Sequence, residues 1–140
     1  MFDHTHRTTM ALLLTPLAIA AGGAAETTEY VCAPAKAVEC DSNLECAAPI
    51  PLVAPPTFFH VNLNERVITL LGPAERRGEV TNIDHLEQGT NQVLMGGVEA
   101  GRAWSMAISE EDGQYTLTVN LGDVGWVVFG QCIAADLVSP

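Results

Sequence analysis

The stretch from Arg102 to Cys132 constrains the fold of this chain more than any other. It reads RAWSMAIS, EEDG, QYTLTVNL, GDVG and WVVFGQC in succession. In the first run Trp104, Met106 and Ile108 alternate with Ala103, Ser105, Ala107 and Ser109. In the second, Tyr115, Leu117, Val119 and Leu121 alternate with Thr116, Thr118 and Asn120. Side chains change face at every residue of a strand but recur every 3.6 residues on a helix, so this alternation specifies half-buried strands. The intervening tetrapeptides hold Gly113 and Gly122, residues that enter a hairpin turn at positive φ without steric cost.

Upstream, the same pattern is weaker but recurs. FFHVNL at 58–63 puts Phe59, Val61 and Leu63 on one face, Asn64-Glu65 suits a turn, and RVITLL at 66–71 stops at Gly72-Pro73. EVTNIDHL at 79–86 and NQVLMGG at 91–97 continue the series. Short strands with a turn signal roughly every ten residues predict an all-β domain over 58–140, a small antiparallel β-barrel or β-sandwich of about six to eight strands. Trp104, Tyr115, Trp126 and Phe129 occupy alternating strand positions, which assigns them to the core. If a barrel is open at one end, some of them would line a ligand cavity instead.

The N-terminal quarter reads differently. Residues 10–21 are almost entirely apolar, Arg7 precedes them, and Gly23-Ala24-Ala25 offers small residues for cleavage, the layout of a signal peptide over 1–25. The run is shorter than the roughly 20 residues a membrane span needs, and Pro16 interrupts it. A secreted or periplasmic domain is expected, with no membrane insertion after cleavage. Residues 26–57, rich in cysteine and proline, read as an irregular, disulfide-stapled lead-in packed on the domain.

Three of the four cysteines fall in this lead-in. Cys32, Cys40 and Cys46 lack the close pairing of zinc ligands or of a redox CxxC, and Cys132 is far downstream. An even count behind an export signal points to two disulfides. The preferred pairing joins Cys32 to Cys132 and Cys40 to Cys46; Cys32 with Cys46 and Cys40 with Cys132 would staple the chain almost equally.

Charge removes further classes. Six basic against 17 acidic residues give −11, so nucleic acid and anionic membranes are poor partners. No catalytic group stands out. His60 and His85 are isolated, none of Ser42, Ser105, Ser109 and Ser139 sits in a nucleophile elbow, and the glycines of MGGVEAGR lack the lysine of a phosphate loop. Neither a metal nor a cofactor is expected. Arg76, Arg77 and Arg102 read as ion-pair partners, although Arg102 beside Trp104, and equally Arg76-Arg77 in the loop GPAERRG, also suit a small recognition spot. With Arg102, the acidic turn Glu110-Glu111-Asp112 is the candidate partner-binding element.

In size, export, acidity, strand spacing and a cysteine in the last strand, the chain resembles small periplasmic β-barrel proteins, including membrane-bound inhibitors of C-type lysozyme. The Ser-Gly-x-x-Tyr-type loop of that inhibitor family has no counterpart here, so no inhibitory residue carries over. The expectation is a monomeric, non-enzymatic protein that binds a basic protein or a small ligand. The alternative is an acidic inhibitor of a cationic hydrolase such as lysozyme.

Overall fold

The computed structural model describes residues 27–47 and 58–138. The expected leader, the prolines of 48–57 and Ser139 lie outside the described residues. Among the described residues ten strands follow one another: β1 (Glu29–Asp41), β2 (Cys46–Ala47), β3 (Phe59–Asn62), β4 (Val67–Leu70), β5 (Val80–Asn82), β6 (His85–Gln88), β7 (Gln92–Glu99), β8 (Arg102–Ser109), β9 (Gln114–Leu121) and β10 (Val124–Ala134). They form one antiparallel sheet in the order β5-β4-β3-β1-β10-β9-β8-β7-β6, with β2 paired to β1. The sheet curls into a half-barrel, and the sandwich alternative is set aside.

The strand count exceeds the expected six to eight for two physical reasons. First, part of the lead-in is regular: β1 is the longest strand and lies between β3 and β10 near the middle of the sheet. Its register shifts between Pro34 and Lys36, a bulge that accommodates a proline lacking an N–H. Second, the 79–86 segment is two strands. β5 pairs with β4, the chain bends at Ile83-Asp84, and β6 pairs with β7.

That bend brings the two ends of the sheet together. The Asp84 amide donates to Gly96 O at 3.0 Å, and Asp84 Oδ2 accepts the Val98 amide at 3.0 Å. Thr81 Oγ1 donates to Glu99 Oε2 at 2.8 Å across the same seam. A carboxylate thus takes the place of a ladder carbonyl where β5 and β7 diverge.

Inside the curl, Val93, Met95, Trp104, Met106, Ile108 and Tyr115 pack with Tyr30, Cys32, Phe59, Val61, Leu63, Ile83 and Cys132. The aromatic assignment holds for Trp104 and Tyr115, both buried, and Trp126 is half-buried. Phe129 departs from it and is 48% exposed. On β10, Trp126, Val128, Gly130 and Cys132 share the inner face, so Phe129 falls on the outer one.

Both disulfides are present, Cys32–Cys132 between directly opposed residues of β1 and β10, and Cys40–Cys46 between β1 and β2. The first lies within the core, with its two cysteines 1% and 2% exposed. Two such bonds imply that the chain matures in an oxidising compartment. No helix among the described residues is long and apolar enough to cross a membrane.

Candidate functional site

The half-barrel is packed at one end and open at the other. At the packed end, Val61, Val93 and Ile108 have no exposure. Towards the other end the inner rows continue as Leu70, Leu117 and Val119, which are only half-buried, as is Ile68 opposite Val61. They border a cavity of about 390 Å³, together with Phe59, Trp104 and Met106. The strands then carry the inner face past the last apolar layer, and the next residues are charged.

Register explains the composition of this rim. Arg102, Trp104, Met106 and Ile108 are in phase on β8, and Glu99 is in phase with Met95 and Val93 on β7. Arg102 and Glu99 therefore face inwards at the mouth, directly opposite each other where β7 turns into β8. On the facing wall, the β4–β5 loop supplies Arg76 and Glu79 and β5 supplies Thr81.

The rim charges have different partners. Arg76 Nε and Nη2 grip the Glu79 carboxylate, the shortest contact being 2.7 Å. This grip raises the Arg76 pKa and lowers that of Glu79. Arg77 Nε donates to Leu71 O at 3.0 Å, and Glu99 is turned to Thr81. Arg102 makes no hydrogen bond or ion pair with the described residues. The ion-pair reading of the arginines thus fits Arg76 alone.

The structure does not unite the candidate partner-binding residues. Glu110, Glu111 and Asp112 form the β8–β9 turn, whereas Arg102 begins β8, so about 25 Å of extended strand separates them. Much of the turn's polarity is used internally. Asp112 Oδ1 accepts the Gln114 amide at 3.0 Å, and hydrogen bonds from Ser109 and that amide hold its carboxyl below the usual range. The Asp112 carbonyl accepts from Gln131, and Glu110 Oε1 lies 3.5 Å from Tyr30 Oη.

Other polar groups offer less chemistry. His60 Nε2 lies 3.0 Å from Glu29 Oε2 on the outer face, with Asn62 Nδ2 donating to Glu29 Oε1 at 3.2 Å. Ser105 and Thr118 hydrogen-bond each other at 2.7 Å across β8 and β9. A broader outer groove of about 670 Å³ runs over Leu94, Gly96, Ala107 and these hydroxyls, and its charged lining is acidic: Glu87 and Asp84, the latter bonded to the Val98 amide. Among the described residues, no three His, Cys, Asp or Glu side chains are grouped to hold a metal.

Sequence reasoning singled out Arg102 and Trp104 but passed over Phe59, Ile68, Leu70, Glu79, Thr81 and Glu99 as site residues. Strand phase was the available signal for Glu99, since it follows the apolar row of β7. Nothing local marks Ile68, Leu70 or Thr81, which reach the mouth through pairings distant in sequence. Comparison with protein-family models, curated proteins and solved structures finds no match to this chain.

Proposed function

We propose that this is an exported, non-enzymatic binding domain that takes a small apolar or amphipathic ligand into the open end of its half-barrel. What carries this reading is the cavity of about 390 Å³ whose apolar wall is continuous with the core. Its size falls within the range of small-molecule sites, which are concave, mostly apolar and provided with a few polar groups for orientation. The half-exposed state of Ile68, Leu70, Leu117 and Val119 leaves apolar area that a ligand would remove from water.

The mechanism is burial followed by polar selection at the rim. An apolar chain enters between the β4–β5 loop and the β7–β8 turn and lies against Met106, Leu117 and Val119. The Cys32–Cys132 bond ties β1 to β10 beneath it, which keeps the floor preformed and lowers the ordering cost of binding.

The test is a titration of the oxidised protein with N-phenyl-1-naphthylamine, a neutral fluorophore that brightens in apolar surroundings. Saturable binding is expected, together with its weakening in Leu117→Trp and Ile68→Trp, where the added rings occupy the cavity. No saturable binding to folded protein, or binding indifferent to both substitutions, would overturn the proposal.

A further inference from the structure

Resting on the ligand-binding reading above, the geometry points to a narrower class of ligand: a single-chain amphiphile with an anionic head, its carboxylate or similar group held by Arg102. The inference starts from an oddity of charge. The domain carries an excess of acid, yet the mouth gathers Arg76 and Arg102, two of the six basic residues in the chain. Glu79 and Glu99 balance them locally, so the strong negative charge of the molecule is borne elsewhere.

Within this neutral rim, one cation, Arg102, is uncommitted among the described residues. Arg76 is held by Glu79, and Arg77 Nε is bound to Leu71 O. Glu99 is the natural partner of Arg102, since opposed residues of a hairpin place their Cβ atoms about 5 Å apart. It is drawn to the other side instead, where Thr81 Oγ1 donates to Glu99 Oε2 at 2.8 Å. The seam that closes the sheet therefore releases Arg102.

The released guanidinium lies in phase with Trp104 and Met106, so it stands over the apolar wall rather than away from it. Guanidinium donors form a planar fork that matches a carboxylate with two parallel hydrogen bonds. A ligand with its tail against Met106, Leu117 and Val119 would place its head at this fork. The overall charge of the protein opposes an anion, but at physiological ionic strength charges more than about 8 Å away are screened. Contact with Arg102 then outweighs the distant acids.

The experiment compares decanoate, decanol and decylammonium, matched in tail and differing in head, by calorimetric titration of the full oxidised protein in 0.15 M salt. Decanoate is expected to bind about five- to twentyfold tighter than decanol, the range for a charge-assisted hydrogen bond at a partly wet site. Decylammonium should bind more weakly than decanoate. In Arg102→Gln the ratio of decanoate to decanol affinity should fall to near one, and in Glu99→Gln it should rise. Arg102 is exposed and makes no bond to the described residues, so its replacement leaves the fold intact, which circular dichroism verifies.

Equal binding of decanoate and decanol to the wild type would overturn the anion assignment while leaving the apolar site standing. So would a decanoate preference that survives Arg102→Gln, or tighter binding of decylammonium. Absence of binding by all three ligands and by the neutral fluorophore would overturn both readings together.

Discussion

The packed end of the half-barrel makes an unusual demand on Tyr115. The residue is 2% exposed, and its ring meets that of Phe59 edge-on with centroids 5.6 Å apart. Its hydroxyl is fully buried and has no hydrogen-bond partner among the described residues. Burying a hydroxyl without a partner costs about 1–3 kcal/mol by mutational measures. Phenylalanine would keep the ring and lose only the oxygen, leaving a void too small to cancel that gain. Tyr115→Phe should therefore stabilise the domain by about 1 kcal/mol at neutral pH. Alkali sharpens the test, because burial raises the phenol pKa above its ordinary 10.0 by denying the phenolate its water. The unfolded chain releases this proton near pH 10 and the folded chain at higher pH. The contribution is therefore fully present below pH 10 and is lost as pH rises above it. Wild type then loses up to about 1.4 kcal/mol per pH unit relative to Tyr115→Phe. Urea unfolding of the oxidised proteins at pH 7, 10 and 11 reads both effects. A variant less stable than wild type at pH 7 would refute the reasoning by showing that the hydroxyl is bonded. A stability gap that fails to widen between pH 10 and 11 would refute the burial.

Three further outcomes follow from the same geometry. A Cβ on Gly130 would sit 2.5 Å from Cζ of Tyr115 and also meet the Ala33 carbonyl, so Gly130→Ala should cost about 2–3 kcal/mol in urea unfolding; a cost below 0.5 kcal/mol would contradict the close packing. Replacing Cys32 and Cys132 by alanine opens a loop with sequence separation 100 and should cost about 4–5 kcal/mol, against about 2 kcal/mol for Cys40 and Cys46 at separation 6; the reverse order in denaturation midpoints would contradict the chain-entropy account. Asp84→Ala leaves the Val98 amide without its acceptor and should cost about 1–2 kcal/mol, with faster hydrogen exchange at Val98; unchanged exchange there would show that the seam does not depend on the carboxylate.

The readable part of this fold was the part governed by near neighbours in sequence. The β8–β9 and β9–β10 hairpins follow from alternation and from Gly113 and Gly122, both at positive φ. The β1–β2 staple follows from the polar loop at 41–45, where Asp41 Oδ1 accepts the amides of Asn43 and Glu45. What could not be read is what depends on bends. The bulge between Pro34 and Lys36 lets a proline-bearing segment run as a central strand, although its local pattern suggests irregular backbone. At Ile83-Asp84 one apparent strand changes partners, and only the closing of the sheet reveals why.

The mouth lay between these two cases, and that position explains its chemistry. Along β8, residues 102, 104, 106 and 108 form one inward row, so the alternation that identified the core also fixed the direction of Arg102. A charged residue in phase with an apolar row marks the level at which an interior meets solvent. On a closed and filled barrel such a residue would turn to a neighbour and form an ion pair. Here Glu99 is its opposed neighbour, but Thr81 at the seam holds the carboxylate. Both the free guanidinium and the apolar wall beneath it thus follow from one topological event, the strand switch that lets β5 reach β7 without joining its ladder. Thr81→Val tests this link directly. Freed from its hydroxyl, Glu99 should turn to Arg102 and form the ion pair, and decanoate should lose most of its advantage over decanol. Retention of that advantage in Thr81→Val would separate the charge pattern of the mouth from the closure of the sheet.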